Sequence, residues 1–570
     1  MQWVLKNMSK EDEEYKFQLA KELGISKTLA HLLVLRGIKT FEQARLFFRP
    51  SLDHLHSPFL MDQMDKAVER LHQAIVRKEK ILIYGDYDVD GTTAVSSMYL
   101  FLQQWIDKNL LGYYIPDRFK EGYGVSYQGV EYAKNNSFSL MIILDCGIKE
   151  IDKINYAQTL GIDCIVCDHH LPSSELPNAY AILNPKKPQC SYPYKELTGC
   201  GIGFKLMQAY CEKYQKDSDH FLQFLDLVTI STAADIVPID GENRVLVYYG
   251  LQKINTQPSI GVKKIIDVAF TKRRKPLKVS DLVFIVAPRI NAAGRLEHGS
   301  KAVQLLISSN EQEAEQWAKE LNDVNADRQG LDKQTLEEAI EIIERDKNFH
   351  QKTTTVVFKN SWNKGIVGIV AAKLVERYYR PTIVLTEHDG IITGSARSVE
   401  DFDLYEALSS CKEFLYQFGG HKHAAGLSIE KDKLDLFIER FEFCVKQSIT
   451  QNQQIKKMYV DTELSLDEIT PKFLRILKQF EPHGPSNHHP IFWLKNVKDS
   501  GRMAEFGNGH LKMYLTNISP KEYPAVFYDG VTYYDQLKGK RFDCLCKIDI
   551  DDVQSEHLIF NLNIQDIKIH

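Results

Sequence analysis

The residues best suited to chemistry are aspartates and histidines that follow apolar runs and lie far apart in the sequence. They are Asp86, Asp88, Asp90, Asp145, Asp168, His169, His170 and Asp235. The motifs that carry them contain no matching set of lysines or arginines, and carboxylates held close together repel one another unless they are paired or bind a metal. Divalent cations are therefore the expected counter-charge. Oxygen ligands with one or two imidazoles suit Mn²⁺ or Mg²⁺ better than a thiolate-preferring ion.

Short apolar runs precede the first three of these clusters. The runs ILIYG, LMIIL and CIVC are rich in Ile, Val and Leu, which is typical of buried parallel strands. In an open α/β sheet, residues just past the carboxyl ends of the strands line the ligand crevice, so we expect the carboxylates to meet there. An extended GDYDVDG segment would put Asp86, Asp88 and Asp90 on one side of the backbone, with Gly91 turning the chain into a helix that begins near Thr92.

The set of potential ligands is larger than one such ion usually draws from a protein. We therefore expect two ions about 3.5–4 Å apart that share a carboxylate, a pair that lowers the pKa of a bridging water and stabilises an in-line phosphoryl displacement. A surface turn or a calcium-binding loop would also explain an Asp-x-Asp-x-Asp pattern. The apolar run before Asp86 and the lack of EF-hand spacing argue against both alternatives.

The overall composition favours a globular protein over a membrane or secreted one. A chain of 570 residues with 44% hydrophobic and 26% charged residues predicts a globular protein of three or four domains. The net charge of −5 does not indicate nucleic-acid binding, and the basic run Lys272–Lys275 alone favours a solvated loop. The sequence predicts neither a membrane helix nor a secretory signal. Ten cysteines without a disulfide-framework spacing indicate a reducing cytoplasm, and Cys164 and Cys167 are interpreted as buried strand residues rather than a redox pair.

The predicted architecture is α/β: two α/β domains joined by a long helix, with a small all-β domain at the C-terminus. Strand and helix patterns alternate from Lys80 to about Gly250, which predicts a parallel sheet, and a second α/β pattern follows Thr353. The predicted ranges are an N-terminal helical segment over 1–75, the first α/β domain over 76–300, the connecting helix over 301–350, the second α/β domain over 351–450 and the β domain over 451–570.

Several polar and glycine-rich segments outside the acidic clusters could contact a phosphate or a nucleic acid. We interpret GSARS as a tight turn that presents Arg397, and FGGHKHAAG as a turn that lets the backbone approach a ligand beside His421. IPDRFKEGYG offers Arg118 as a phosphate contact and Tyr123 as a stacking platform. PRINAAGR offers Arg289, Asn291 and Arg295. Taken singly, the glycine-rich turns are common structural features, IPDRFKEGYG favours an ordinary loop, and PRINAAGR could instead cap helices.

Taken together, these motifs resemble the DHH phosphoesterase superfamily and, within it, the RecJ family of single-strand-specific exonucleases. The matching stretches, in the family's order over about residues 80 to 430, are YGDYDVDGTT, IPDRFKEGYGVS, LDCGI, DHH, TAADIVP, ENRVLV, PRINAAGRL, GIVGIVAAKL, GSARS and FGGHKHAAGL. The resemblance implies a DHH domain, a DHH-associated domain and, in the C-terminal β domain, an OB-fold. It also implies 5′-to-3′ hydrolysis of single-stranded DNA to 5′-mononucleotides with Mn²⁺ or Mg²⁺, in DNA repair and recombination.

The resemblance also implies a role for each matching residue. The metal ligands are Asp86, Asp88, Asp90, Asp145, His169 and Asp235, with Asp145 as the bridging carboxylate and a catalytic residue. His170 and Asp168 are the other catalytic residues, His170 lying near the scissile phosphate. The 5′-phosphate contacts are Arg118, Ser395, Arg397, Gly420 and His421. The DNA contacts are Tyr123, Arg289, Asn291 and Arg295.

The sequence departs from the family pattern at two positions, and it leaves alternative functions open. Tyr84 stands where the pyrophosphatase branch has a histidine, and Asn363 stands where the RecJ family usually has one, so no imidazole chemistry is expected at Asn363. His488 and His489 are expected to face solvent rather than to bind a metal. The alternatives are a phosphodiesterase for short oligonucleotides or cyclic dinucleotides and a non-catalytic replication factor. We expect a cytoplasmic monomer that binds single-stranded DNA, with a helicase and a single-strand-binding protein as candidate partners and no membrane association.

Overall fold

The computed structural model describes residues 1–270, 275–388, 390–517, 521–552 and 559–569, so Lys272, Arg273 and Arg274 of the basic run lie outside the described residues. Its contacts divide the chain into two compact units. The first unit comprises Trp3–Ala287, Val303–Glu315 and Tyr459–His570. The second unit comprises Met1–Gln2, Pro288–Ala302 and Gln316–Met458. Among the described helices, none combines the length and the hydropathy required to cross a bilayer.

The chain begins with one strand and three helices, where the sequence predicted helices alone. They are β1 (Gln2–Leu5), α1 (Lys10–Leu23), α2 (Lys27–Val34) and α3 (Phe41–Phe48). Each helix starts after a hydroxyl residue, Ser9, Ser26 or Thr40, whose side chain accepts a hydrogen bond from a backbone N–H of the first turn.

A five-stranded parallel sheet forms the centre of the first unit, as the sequence predicted. The elements are α4 (Met64–Val76), β2 (Ile81–Gly85), α5 (Val89–Leu102), β3 (Leu111–Tyr114), α6 (Tyr127–Asn135), β4 (Leu140–Leu144), α7 (Ile151–Thr159), β5 (Asp163–Cys167) and β6 (Ala181–Leu183). The strand order is β3-β2-β4-β5-β6. The direction of strand addition therefore reverses between β2 and β4, where open α/β sheets place their ligand crevice.

A helical region follows the sheet. It contains α8 (Gly199–Lys213), α9 (Asp219–Leu222), α10 (Leu225–Ala234), α11 (Gly241–Thr256), α12 (Ile260–Ala269), α13 (Val279–Asp281), a π-helical turn (Leu282–Val286), α14 (Ala287–Leu296), α15 (Ser300–Ile307) and α16 (Glu311–Arg345). The prediction of one continuous helix from residue 301 was wrong, because two helices, α15 and α16, occupy this range. The chain breaks before Glu311 because the Asn310 side chain accepts hydrogen bonds from the Gln312 and Glu313 N–H groups, which starts a new helix.

The second unit contains a mixed sheet. Its elements are β7 (Thr355–Phe358), α17 (Val367–Tyr378), β8 (Thr382–His388), β9 (Ile391–Arg397), α18 (Leu404–Ser409), β10 (Gln417–His421), β11 (Ala424–Ile429) and α19 (Leu434–Ser448). The order is β10-β11-β9-β8-β7, with only β7 and β8 parallel. Residues Gly394–Arg397 lie inside β9, so the tight turn predicted for GSARS was wrong. Hydrogen bonding to β8 and β11 on both sides keeps this segment extended.

The C-terminal region is a β module that shares its core with the N-terminal helices. Its elements are β12 (Lys457–Val460), β13 (Thr462–Glu463), α20 (Pro471–Lys478), β14 (Phe492–Asp499), β15 (Ala504–Phe506), β16 (His510–Thr516), β17 (Tyr523–Phe527), α21 (Tyr534–Leu537), β18 (Phe542–Asp552) and β19 (Ile559–Ile569). A further pairing of β14 with β16 curls the seven-stranded sheet. Leu29 and Leu33 of α2 pack into the same apolar cluster as Phe492 and Phe542.

A buried arginine, Arg244, and a partly buried one, Arg36, join this β module to the rest of the first unit. Arg244 of α11 donates hydrogen bonds to five backbone carbonyls: those of Phe47, Gln479, Phe480, Glu481 and Pro482. Arg36 donates to the Asn487 side chain at 2.7 Å and to the His488 carbonyl at 2.7 Å. The segment EPHGPSNHHPIF is therefore an internal joint. His488 is exposed as predicted, but His489 is only partly exposed and lies 3.5 Å from Asp549, so that prediction was wrong.

Candidate metal centre

Three strand ends and one helix end bring the acidic residues together. Asp86 follows β2, Asp145 follows β4, and His169 lies two residues past β5. The predicted parallel strands are therefore present, and Asp86 and Asp145 flank the crevice between β2 and β4. Asp235 differs, since it ends α10 and not a strand.

The local structure of the Asp-x-Asp-x-Asp segment differs from the sequence prediction. Helix α5 begins at Val89 rather than near Thr92, because the Asp88 side chain accepts a hydrogen bond from the Gly91 N–H at 3.1 Å and acts as the helix cap. Asp90 therefore lies in the first helical turn and not in an extended chain. A Cβ atom at position 91 would lie 2.3 Å from the Asp86 carbonyl oxygen, so this tight approach requires glycine.

Ligand atoms from these segments form three overlapping groups. In each group, every atom lies within 4.8 Å of the others. The groups are Asp86, Asp88 and Asp145; Asp90, His169 and Asp235; and Asp145, His169 and His170. The Nε2 atom of His169 lies 3.2 Å from Asp145, 3.6 Å from Asp235 and 3.9 Å from Asp90. All six predicted ligands therefore lie in one cluster, and Asp145 and His169 each belong to two of the three groups.

The electrostatics of this cluster fit a bound cation. Burial, followed by repulsion from neighbouring carboxylates, raises the pKa of Asp86, Asp88 and Asp145, and the same causes raise the pKa of Asp235 to about 8. Among the described residues, Asp86 Oδ1 and both ring nitrogens of His169 are buried without a hydrogen-bond partner. Burial also lowers the pKa of His169, which favours the neutral imidazole that binds metals. Oxygen and nitrogen atoms left unpaired in this way suit Mn²⁺ or Mg²⁺.

Asp90 is held more firmly than the other carboxylates. It accepts hydrogen bonds from the Gly199 N–H at 2.7 Å, the Cys200 N–H at 2.9 Å and the Ser231 hydroxyl at 2.7 Å. The N-terminus of α8 therefore points at the cluster. A Cβ atom on Gly199 would lie 2.5 Å from that of Asp145. Sequence reasoning missed these contacts, although a threonine cap before glycines, as in LTGCG, was a readable signal.

His170, Asp168 and Tyr123 form a hydrogen-bonded chain beside the cluster. His170 Nδ1 lies 2.7 Å from Asp168, and the Tyr123 hydroxyl lies 3.1 Å from His170 Nε2 and donates to the Asp145 carbonyl at 3.2 Å. Burial lowers the pKa of His170, but the hydrogen bond and charge of Asp168 outweigh it, so the net pKa is raised. The imidazolium then donates from both nitrogens. Asp168 also accepts from the Ile148 N–H at 2.9 Å, and it belongs to none of the three ligand groups found among the described residues.

The loop between β3 and α6 carries Arg118 and Tyr123, and hydrogen bonds to the Tyr84 hydroxyl hold it in place. The Tyr84 hydroxyl donates to the Gly124 carbonyl at 2.9 Å and accepts from the Ser126 N–H at 3.1 Å. The Arg118 guanidinium lies 5.0 Å from the centre of the Tyr87 ring. Tyr84 therefore has a structural contact of its own in place of the histidine of the pyrophosphatase branch.

The remaining predicted site residues belong to the second unit. Gly420 pairs with Ala425, and Ala424 pairs with His421 on one side and with Arg397 on the other. Directly paired residues share a face of a sheet, so Ser395, Arg397 and His421 lie on one face. The Arg397 guanidinium donates to the Ser395 hydroxyl at 2.7 Å. This cluster of side chains is the polar face of the second unit.

Helix α14 carries the predicted DNA contacts Arg289, Asn291 and Arg295. Arg289 donates to the Asn322 side chain at 3.0 Å, and Arg295 donates to the Gly365 carbonyl at 3.3 Å. Asn363 accepts from the Gly365 N–H at 2.7 Å. The two arginines and Asn363 therefore make contacts within the second unit.

Comparison with known families identifies three matching regions. Residues 80–232 match the DHH family N-terminal domain, residues 350–447 match the DHHA1 domain, and residues 460–566 match the RecJ OB domain. The α/β class with a C-terminal OB domain, predicted from the sequence, is thereby confirmed.

Similarity to individual proteins extends over nearly the whole chain. The single-stranded-DNA-specific exonuclease RecJ of Bacillus subtilis is 37% identical over 97% of this chain and 69% of its own length, and that of Escherichia coli is 34% identical over 89% and 88%. The structure of Thermus thermophilus RecJ with Mn²⁺ has a TM-score of 0.82 at 24% identity, covering 100% of this chain and 79% of that one. A structure of exonuclease RecJ bound to manganese has a TM-score of 0.60 at 28% identity, covering 71% of this chain and 100% of its own. The chain belongs to the RecJ family of DHH phosphoesterases.

Proposed function

We propose that the chain is a metal-dependent 5′-to-3′ exonuclease that hydrolyses single-stranded DNA to 5′-mononucleotides in DNA repair and recombination. The observation that carries this proposal is the buried cluster around Asp145 and His169, whose unpaired oxygen and nitrogen atoms suit two Mn²⁺ or Mg²⁺ ions. The exonuclease relatives similar over most of the chain support the choice of substrate.

The cluster and its neighbours would supply both the metal ligands and a proton donor for the reaction. Asp86, Asp88, Asp90, Asp145, His169 and Asp235 would hold the ions, with Asp145 shared between them. When bound, such ions supply a deprotonated water and neutralise charge on the phosphate. Asp168 holds Nδ1 of the His170 imidazolium, and Nε2, which lies 3.1 Å from the Tyr123 hydroxyl, would exchange that contact for a phosphate oxygen and donate a proton or a hydrogen bond to it. In this proposal Asp168 acts as a positioning residue.

The polar face of the second unit supports recognition of a phosphate. Arg397 beside Ser395 offers a planar cation and a hydroxyl, and the glycine-rich strand β10 keeps the backbone near His421 accessible. We propose that these residues bind the 5′-terminal phosphate and so set the polarity of digestion. Arg118 is proposed as a separate phosphate contact in the first unit, and Tyr123, Arg289, Asn291 and Arg295 as contacts to the strand.

Further aspects of the proposal concern organisation and partners. We propose that metal chemistry resides in residues 76–300 and end recognition in residues 351–450, with 301–350 as the connection, and that residues 1–75 and 451–570 help retain long DNA. A helicase that unwinds duplex and a protein that coats single strands are the proposed partners, with the chain itself acting as a monomer in the cytoplasm. The shared core of the N-terminal helices and the β module supports treating those two segments as one body.

A nuclease assay tests this function directly. Single- and double-stranded oligonucleotides, labelled at either end, are incubated with Mn²⁺ or Mg²⁺ and the products are sized on denaturing gels. We expect mononucleotides from the 5′ end of single strands only. Asp145→Asn protein purified in parallel controls for a contaminating nuclease. Activity confined to dinucleotides would favour the short-oligonucleotide phosphodiesterase, and inactivity with both metals would favour the non-catalytic replication factor.

A second assay tests end recognition. Arg397→Ala should reduce the preference for a 5′-phosphate over a 5′-hydroxyl by about tenfold or more, because one charge-assisted pair is lost. Arg440→Ala, which removes an exposed arginine of α19 in the same unit, should leave the preference unchanged. Equal preference ratios in wild type and Arg397→Ala would contradict the proposed phosphate contact.

A further inference from the structure

Ile236 is in a backbone conformation that its side chain disfavours. It follows Asp235 at the end of α10 and has a φ of 58°, in the left-handed region. Glycine or asparagine is the usual residue where a helix ends in this way, because a branched Cβ clashes with the backbone there. Among the described residues, Ile236 is the only β-branched residue with a positive φ. A β-branched residue in this region is an outlier that calls for a cause.

The packing of Ile236 does not provide that cause. Its neighbour Val237 is buried, but Ile236 itself is 66% exposed, so the side chain adds little to the core. A helix end can be stabilised by an apolar contact from such a residue, yet this much exposure argues against a contact of that kind. Ile236 therefore combines a strained backbone with an exposed apolar side chain, and neither feature stabilises the fold.

The location of Ile236 suggests what the side chain contacts. Asp235, directly before it, lies 3.6 Å from His169 in the candidate metal centre. A second large apolar side chain, Leu171, is 69% exposed and lies two residues past His169. Two of the candidate ligands are thus each followed within two residues by an exposed aliphatic side chain, whereas the ligands themselves are charged or polar.

We infer that Ile236, supported by Leu171, is an apolar platform for a nucleobase of the nucleotides that flank the scissile phosphate. This inference rests on the proposed function, since it assumes a nucleic-acid substrate at the metal centre. A phosphodiester is charged, but the bases it joins have apolar faces. An enzyme that removes nucleotides of any sequence needs contacts that are tolerant of base identity, and an apolar surface against a base face meets that need.

The test separates strain from substrate contact. Ile236→Gly removes the side chain and the backbone strain together. Lys78→Gly is the matched control, because Lys78 is exposed, has a φ of 54° and lies in the same unit, at the end of α4. Both variants should unfold at the same temperature as wild type or higher. Only Ile236→Gly should raise the KM for a single-stranded oligonucleotide, by about five- to tenfold with little change in kcat, as expected for loss of one apolar contact.

A substrate without bases completes the experiment. An oligonucleotide that is abasic at both nucleotides flanking the first scissile bond should raise the KM of wild type to that of Ile236→Gly and leave the KM of the variant unchanged. Equal KM values for wild type and Ile236→Gly on intact DNA would overturn the inference. A KM difference that persists on the abasic strand, or a lower unfolding temperature for Ile236→Gly, would overturn it as well. If wild type does not hydrolyse intact single strands at all, the proposed function fails instead.

Discussion

The first unit buries charged groups in several places, and two of these places differ in how the protein satisfies the charge. At the joint with the β module, the guanidinium of Arg244 is surrounded by five backbone carbonyls that accept its hydrogen bonds. Burial lowers the pKa of Arg244 to about 9, so the group remains charged at neutral pH. In the candidate metal centre, buried carboxylates face one another, and Asp86 and His169 retain buried atoms without a hydrogen-bond partner among the described residues.

The difference separates a structural charge from a functional one. A buried charge that the protein itself satisfies stabilises the fold, and its removal leaves carbonyls unpaired. A buried cluster that the protein leaves unsatisfied destabilises the fold until a ligand of opposite charge binds. The joint should therefore respond to mutation in stability, and the metal centre in activity and metal affinity.

The largest expected effect is loss of activity on removing the shared carboxylate. Asp145→Asn should lower kcat by about 10³-fold or more and weaken Mn²⁺ binding measured by titration calorimetry, because two ligand groups lose a charge. Asparagine tolerates the φ of 62° at this position, so the metal-free variant should unfold no earlier than wild type. Asp152→Asn, an exposed residue of α7, is the control. Near-normal turnover by Asp145→Asn would contradict the two-metal cluster.

The joint should show the opposite response. Arg244→Met should lower the free energy of unfolding by about 3–5 kcal/mol, because the buried carbonyls lose their donor. Metal affinity and turnover per folded molecule should stay at the wild-type level. Arg77→Met removes an arginine that is 66% exposed, and we expect less than about 0.5 kcal/mol from it in the same urea titration. A loss of metal affinity in folded Arg244→Met protein would remove the distinction between the two places.

The two places also differ in how far the sequence predicts them. Asp86 and Asp145 follow short apolar strands, and the rule that ligands collect at strand ends is enough to bring them together. The extended conformation predicted for Asp88 and Asp90 was wrong, because capping by Asp88 starts helix α5 earlier than the alternating pattern suggested. Over such a short segment, the alternation of a strand and the capping of a helix predict different conformations. The close approach of Gly91 to the Asp86 carbonyl, which the sequence does not reveal, fits the helix.

The joint could not be predicted at all. The partners of Arg244 are backbone carbonyls more than 190 residues away in either direction, and carbonyl groups leave no residue signature. Gly199 and Ser231, which hold Asp90, were missed because they lie 109 and 141 residues from it in the sequence. For GSARS, glycine and serine suggested a turn, but pairing with β8 and β11 keeps the segment extended. Long-range hydrogen bonding thus overrides local preference at each of these positions.

An intermediate effect is expected at the edge of the metal centre, where the protein does satisfy the charge. Asp168→Asn should lower kcat by about 10- to 100-fold, because His170 loses the carboxylate that raises its pKa and fixes its ring. Metal affinity should change little. The alkaline limb of the pH–rate profile should shift to lower pH, a readout that a merely structural role would not move. Asp163→Asn, at the start of β5, is a control outside this hydrogen-bonded chain, and an unshifted profile for Asp168→Asn would show that Asp168 does not act through His170.

The smallest effect concerns the stability of the metal-free protein as a function of pH. Asp235 has a folded-state pKa of about 8, above the value of about 4 for an unfolded aspartate. Between these values the folded state binds more protons than the unfolded state, so stability falls as pH rises through this window. The unfolding temperature in the presence of a chelator should therefore decline from pH 5 to pH 8.5, and Asp235→Asn should flatten the decline. Saturating Mn²⁺ should reverse the trend, because deprotonated carboxylates then bind the ion. A chelated protein whose unfolding temperature rises over the same range would mean that these carboxylates are already satisfied by the fold, as Arg244 is.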